Sequence, residues 1–337
     1  MAPSLLRSSS LLVLVPLLLA AAPAPKAPAP PRLEDTLPDT FSGVERVVAV
    51  GDVHGDVDAL KEVLRLAGII DAKDRWIGGK THLVQTGDIP DRGDQTRAAF
   101  DLLMRLEQEA LAAGGRVHAL LGNHEAMNML GDLRYVSPGE MASFADQSPE
   151  ADSAGSPPGL NGHRVAYSLQ GRYGQWLRRH AAVVRINDTL FVHGGVAPGV
   201  PGTDLSALNR WVRQDFFPGQ PPGGARNPQG PLWFRGYALG EEQEAGPALD
   251  AVLQRYGARR MVMGHTTNRD GKVKVRFNGK ALLIDTGLST GYGRNLAALE
   301  LRGGKVNALY REGPVTLATV ETPAAAPRPA APKPRKK

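Results

Sequence analysis

Five short segments set metal-ligating side chains beside glycine. They are Gly51-Asp52-Val53-His54-Gly55, Gly87-Asp88-Ile89-Pro90-Asp91-Arg92-Gly93, Gly122-Asn123-His124-Glu125, Val192-His193-Gly194-Gly195 and Gly264-His265-Thr266. Asp52 and His54, on a sharp loop rather than in a strand, can both turn toward one ion. Glycine lets the backbone leave a strand tightly and approach a metal closely. A single carboxylate such as Asp88 can bridge two ions, and an Asn123 amide oxygen with two imidazoles would complete a second site. Mixed nitrogen and oxygen donors suit Mn, Fe or Zn rather than Ca. Two divalent or mixed-valence ions about 3.5–4 Å apart can clamp a phosphate, generate a hydroxide at neutral pH and stabilise an in-line displacement. Any one segment is explained as well by a turn with a satisfied polar residue. Five of them in one core, each after an apolar run, form a constellation.

The elements that must carry these segments are legible in the apolar pattern. Residues 45–50 form a short Val-rich run and predict a buried strand. Asp56 then caps a helix whose Leu60, Val63, Leu64 and Ala67 share a face, with Gly68 as its stop. Residues 81–85 and 116–121 predict two further strands. Between them Asp94 caps a helix with Phe100, Leu103, Leu106 and Ala110 at core spacing. Three strand–loop–helix units in succession imply a layered α/β core, in which ligand sites gather at the carboxyl ends of strands. The second half is richer in hairpins. Asn187-Asp188, Asn278-Gly279 and Gly303-Gly304 each separate two apolar runs, which predicts a second, more antiparallel sheet. Residues 131–175 and 217–231 are rich in Gly, Pro and Ser and predict long excursions of the kind that shape a substrate mouth.

Composition removes other chemistries. The 337 residues include no cysteine, which excludes disulfides, thiolate metal sites and a cysteine nucleophile. The net charge of +6 invites a nucleic-acid partner, but its distribution does not. Arg328, Lys333, Arg335, Lys336 and Lys337 stand in the tail and Arg7 at the start, while residues 41–322 carry about +1. No specific nucleic-acid partner is therefore expected. Residues 1–22 read as a secretory signal, with Arg7 before an apolar run too short for a comfortable membrane span. Export to a periplasmic or extracellular location, with no stable membrane anchor after cleavage, is the expectation. Residues 23–40 read as a Pro/Ala-rich linker, 41–322 as the folded domain with 131–175 as a cap-like insertion, and 323–337 as a disordered basic tail. Gly79-Lys80-Thr81 is no phosphate-binding loop, because Asp74 stands where its first glycine is required. His82, His118, His163 and His180 lack flanking glycine and read as structural or exposed.

The five segments together resemble those of the calcineurin-like metallophosphoesterases. Asp91-Arg92-Gly93 with Asn123-His124-Glu125 resembles the phosphoprotein phosphatase branch. Pro231-Leu232-Trp233-Phe234-Arg235 and residues 276–287 are similar to the Shewanella-like protein phosphatases. The resemblance runs over residues 44–312 and implies a layered α/β sandwich with two mixed central sheets. It implies that Asp52, His54 and Asp88 hold a first metal and that Asp88, Asn123, His193 and His265 hold a second. It further implies that His124 protonates the leaving oxygen, oriented by Asp91. Arg92 would grip phosphate oxygens with a bidentate fork that Lys cannot copy. Arg235 is the candidate for a second phosphate arginine, and Tyr292 for a lining residue.

The chain departs from the compact members of the branch in the 69 positions from His124 to His193. Arg134, Tyr135, His163 and Tyr167 are the residues of this excursion that could meet a substrate. The expected function is a dinuclear metal-dependent phosphomonoesterase acting on a phosphorylated protein (Ser/Thr or Tyr) or a small phosphoester. The alternatives are a nucleotide or dinucleotide polyphosphate hydrolase on the same metals, and a silent phosphate-binding scaffold. A His124–Asp91 pair has little use in mere binding, which weighs against silence.

Overall fold

The computed structural model describes residues 31–319. The secretory-signal segment, residues 23–30 of the Pro/Ala-rich stretch and the basic tail from 323 lie outside the described residues. The first sheet is built around Arg46–Val50 (β2), which follows the short strand Thr40–Phe41 (β1). Helix α1, Val57–Leu66, comes next, with the Asp56 carboxylate accepting from the Ala59 amide at its start. Strand β3, His82–Gln85, helix α2, Thr96–Ala112, and strand β4, Arg116–Ala119, complete the three predicted units. The alternation in β2 decides its two faces. Val48 and Val50 pack with the helices, whereas Val47 and Ala49 face the second sheet. Being apolar on both faces, such a strand belongs in the middle of a sheet.

Asp94 does not cap α2. Gln95 occupies the cap position without a side-chain bond, and the Asp94 carboxylate instead accepts from the Ser137 hydroxyl at 2.5 Å. Helix α3, Asn123–Met129, opens directly after β4, and the excursion that follows is helical. It holds α4, Pro138–Ser143, a 3-10 turn at Ala145–Gln147, α5, Leu160–Tyr167, and the start of α6, Arg172–Leu177. This segment is docked through a cluster of Phe100, Phe144, Tyr167, Tyr173 and Trp176.

The second sheet follows. Strands β5, Val183–Ile186, and β6, Thr189–Val192, form the hairpin predicted at Asn187-Asp188. Helices α7, Leu205–Gln214, α8, Gly236–Leu239, and α9, Glu242–Arg255, lead to β7, Arg260–Met263. The hairpin of β8, Lys274–Arg276, and β9, Ala281–Leu283, turns at Asn278-Gly279. Its order is β1-β5-β6-β7-β9-β8, with β6, β7 and β9 parallel. The last strands, β10, Ala298–Arg302, β11, Lys305–Tyr310, and β12, Gly313–Thr319, return to the first sheet, whose order is β12-β11-β10-β2-β3-β4. The Gly303-Gly304 hairpin therefore belongs to the first sheet rather than to the second, and both sheets are mixed. The reason is the free edge of β2, which β10 closes antiparallel, Leu299 opposite Ala49. Between the sheets lie Val47, Ala49, Val184, Phe191, Val262, Leu282 and Leu299. The outcome is a helix–sheet–sheet–helix sandwich.

Candidate metal centre

Every predicted ligand follows the carboxyl end of a strand. Asp52 and His54 follow β2, Asp88 follows β3, Asn123 opens α3 after β4, His193 follows β6, and His265 follows β7. These strands run parallel within each sheet, so their ends meet at one edge of the sandwich. His54, Asp88, Asp91, Arg92 and His265 have φ of 47, 58, 72, 69 and 64°, a left-handed backbone that non-glycine residues rarely adopt. Two glycines permit the crowding. A Cβ on Gly122 would stand 2.3 Å from an Asp88 oxygen, and one on Gly264 would stand 2.4 Å from an Asp52 oxygen.

Asp88 is the hub. Its Oδ2 lies 3.2 Å from His193 Nε2, 3.7 Å from His124 Nε2 and 3.9 Å from His54 Nε2. Its Oδ1 accepts from the His124 amide at 3.0 Å. Two groups of donors able to hold an ion share it: His54, Asp88 and His124, and Asp88, His193 and His265. Asp52 is in neither group. Both its oxygens accept from the His265 amide at 3.1 Å, and Oδ1 lies 3.9 Å from His193 Nδ1. The Asn123 oxygen is 3.0 Å from His193 Nε2.

His193 tests whether these donors fit a cation. Its Nδ1 is 2.9 Å from the Thr86 carbonyl, which can only accept, so Nδ1 carries the proton. In the neutral ring Nε2 is then a lone pair, yet it faces two acceptor oxygens, of Asn123 and Asp88. A cation placed among these three converging lone pairs would satisfy all of them. His265 Nε2 is likewise 3.2 Å from the Trp233 carbonyl and His54 Nδ1 3.3 Å from that of Pro90, contacts that orient ligand imidazoles. Burial pushes His54 down to about 4 and His265 to about 2, so both are neutral, as ligation requires. Burial, aided by Asp285 and Asp88, pushes Asp52 well up. Against the cost of burial, the His193, His124 and His54 rings hold Asp88 well below the carboxylate range. Carboxylates and neutral imidazoles packed out of water are the donor set of a divalent transition ion.

His124 stands beside this set. Its Nδ1 is 2.5 Å from Asp91 Oδ2, and the fully buried Asp91 also accepts from Asn128 Nδ2 at 2.9 Å. Burial opposes charge on His124, but Asp88 and the Asp91 contact outweigh it and raise its pKa. Arg92 projects between two tyrosines, its guanidinium carbon 4.6 Å from the Tyr135 ring and 5.6 Å from that of Tyr292. Tyr292 also stacks on His54 at 5.2 Å. A groove of about 460 Å³ opens beside them, lined by His54, Arg92, Tyr292 and Arg294 among others. Arg235 reaches the same region, but its Nη1 donates to the His265 carbonyl at 2.8 Å and to Thr266 Oγ1 at 2.9 Å.

Of the four excursion residues expected to meet a substrate, Tyr135 reaches the site, its ring 5.2 Å from that of His124. Arg134 pairs with Asp132, and His163 and Tyr167 are buried in the helical segment. His82 of β3 and His118 of β4 are buried within the first sheet's strands, 3.0 Å apart. Sequence reasoning missed Glu125 as a clamp. Its carboxylate accepts from the amides of Asp88, Ile89 and Gly122 at 3.0, 2.7 and 2.7 Å and ties two site loops together. Its signal was the acidic residue at the third position of α3. Asp285, which accepts from Thr267 Oγ1 at 2.6 Å beside Asp52, was missed because no glycine-flanked ligand pair marks it.

Residues 45–268 match the family described as calcineurin-like phosphoesterase. The chain is 31% identical to Shewanella-like protein phosphatase 2 of Arabidopsis thaliana over 326 residues, covering 84% of this chain and 83% of that protein. It is 30% identical to Shewanella-like protein phosphatase 1 of Plasmodium berghei, over 74% of this chain and 69% of that one. Among solved structures it superposes on the cold-active protein-tyrosine phosphatase of a psychrophile Shewanella species. That match has a TM-score of 0.71 and 30% identity, and covers 85% of this chain and 84% of the other.

Proposed function

The chain belongs to the calcineurin-like phosphoesterase family, and from that premise we propose that it is a dinuclear metal-dependent phosphomonoesterase acting on phosphorylated protein, phosphotyrosyl groups foremost. The observation that carries the reading is Asp88, common to both groups of donors, with the Asp91–His124 pair and Arg92 beside it. Asp52, His54 and Asp88 would hold one ion, and Asp88, Asn123, His193 and His265 the other. Mn, Fe and Zn fit these donors. When bound, such ions supply Lewis-acid polarisation of the phosphoryl group and a water of lowered pKa.

The chain's own residues supply the rest. Arg92 donates its fork to the phosphoryl oxygens as they gain charge. His124 hands the proton on Nε2 to the leaving oxygen, while Asp91 fixes Nδ1 and steadies the ring. Arg235 holds the His265 loop and adds a second cation at the phosphate side. Tyr135 and Tyr292 flank the phosphate arginine with flat faces that suit an aryl ester. The phosphatase names of the relatives and of the structural neighbour support a protein substrate. The leader read in residues 1–22 supports an exported enzyme, checked by cell fractionation.

The test is a substrate panel on Mn²⁺-loaded protein. Phosphotyrosyl peptides should turn over faster than phosphoseryl or phosphothreonyl peptides and diadenosine polyphosphates, and chelation should abolish all turnover. Preference for the diadenosine compounds would overturn the substrate assignment. Absence of turnover on every phosphoester would overturn the catalytic one.

A further inference from the structure

Asp91 and Arg92 are consecutive non-glycine residues in the left-handed region, with φ of 72 and 69°. Each such residue costs on the order of 1–3 kcal/mol and persists only where its surroundings over-determine it. Here the acceptors that hold the two amides both come from the excursion after α3. The Arg92 amide donates to the Tyr135 carbonyl at 3.0 Å, and the Asp91 amide donates to Glu140 Oε2 at 3.0 Å.

Glu140 is an unusual residue for its position. It is the third residue of α4, where a glutamate ordinarily turns back to cap its own helix. Ser137 does cap α4, accepting from the Glu140 amide at 3.0 Å, but the Glu140 carboxyl leaves its helix for the Asp91 amide, 49 positions earlier. It is fully buried, and its Oε1 has no hydrogen-bond partner among the described residues. A buried carboxyl with an unmet oxygen is costly wherever a smaller apolar side chain would fill the space. Burial and the neighbouring Asp91 push it up to about 9. The helix start is itself pinned to the same loop, for the Ser137 hydroxyl donates to Asp94 Oδ1 at 2.5 Å and lies 3.2 Å from the Gly93 carbonyl.

The other end of Asp91 shows what this anchoring serves. With its amide held by Glu140 and its Oδ1 by Asn128, its Oδ2 has one direction left, toward His124 Nδ1. We propose that Glu140 is a positioning residue of the proton donor. It fixes the Asp91 backbone, Asp91 fixes the His124 ring, and the excursion thereby forms part of the apparatus that protonates the leaving group. The proposal rests on the reading of His124 as that donor.

The leaving-group dependence of turnover tests it, on a series of aryl phosphates from 2,4-dinitrophenyl to phenyl. A good leaving group needs no proton and a poor one does, so a misplaced acid steepens the dependence, whereas a loosened fold lowers every rate alike. Glu140→Met, which keeps the volume and removes the acceptor, should lower kcat about 10–100-fold on phenyl phosphate and less than about threefold on the dinitrophenyl ester, with KM and bound metal unchanged. Glu140→Gln, whose carbonyl accepts the same amide, should recover the wild-type slope. Equal losses on both esters, or a Gln variant as steep as the Met variant, would overturn the proposal. If the Met variant does not fold, Glu140→Asp, which withdraws the acceptor by one methylene, takes its place; a wild-type slope there overturns the proposal equally. His124→Ala separates the two layers. If it leaves the slope unchanged, the donor assignment itself fails. If it steepens the slope and the Glu140 variants do not, only the role of Glu140 fails.

Discussion

Replacing Arg92 by Lys keeps the charge and removes the fork, which makes it a sharp probe of phosphate recognition. The guanidinium carbon lies over the rings of Tyr135 and Tyr292, at 4.6 and 5.6 Å from their centroids, and the Arg92 amide donates to the Tyr135 carbonyl. A guanidinium so oriented can give two parallel bonds to phosphoryl oxygens, whereas an ammonium gives one without directional preference. A charge-assisted hydrogen bond is worth about 1.5–3 kcal/mol, and each 1.4 kcal/mol is about tenfold in rate. Losing one such bond should lower kcat/KM by about 10–100-fold in Arg92→Lys. Losing both in Arg92→Ala should lower it by about 10²–10⁴-fold. The assay is kcat and KM on p-nitrophenyl phosphate together with inhibition by inorganic phosphate. The fork acts on charge that develops during transfer, so kcat should fall by more than the phosphate inhibition constant rises. If the Lys variant stays within about threefold of wild type while the Ala variant does not, charge alone matters and the argument from the fork is wrong.

Three further outcomes follow from the same geometry. Asp91→Asn removes the charge beside His124 Nδ1 and should cost about 10–100-fold on poor leaving groups, with far less on good ones; steady-state rates on paired esters check it. Asp88→Asn should strip metal from both groups of donors, and two ions per chain by elemental analysis would refute the bridging role. Burial lowers His82 and His163 to about 4 in the folded chain, against about 6.5 unfolded. Between these values the unfolded chain binds protons that the folded one does not. The contribution of these two histidines is therefore full above about pH 6.5 and is lost as pH falls toward 4, by at most about 1.4 kcal/mol per pH unit for each. A urea midpoint that shifts from pH 7 to pH 5 no differently in wild type than in His163→Phe would contradict this.

What was legible in the sequence was whatever local chemistry decides. The apolar run before Gly51, the Asp56 cap and the turn dipeptides at 187–188 and 278–279 carry their conformations within a few residues. The site motifs were legible for the same reason, since each pairs a ligand with the glycine that lets the backbone close in. What escaped depends on partners far along the chain. The Gly303-Gly304 hairpin declares its turn but not which sheet has a free edge for it. Asp94 looks like a cap until Ser137 supplies a better partner from 43 positions away. Glu125 and Glu140 act on amides 37 and 49 positions away, and an amide leaves no mark in a side-chain pattern. His163 and Tyr167 lie among Gly, Pro and Ser, where no periodicity signals burial.

The left-handed backbones of His54, Asp88, Asp91, Arg92 and His265 set this enzyme's evolvability against its heat resistance. Glycine or asparagine at such a position relieves strain worth on the order of 1–3 kcal/mol, so a screen for melting temperature alone would select against the residues that do chemistry. Arg92→Gly should melt no lower than wild type while losing phosphate recognition. Thermostabilising campaigns on this scaffold must therefore hold the strand-end loops fixed and draw their gains from the helices outside the two sheets.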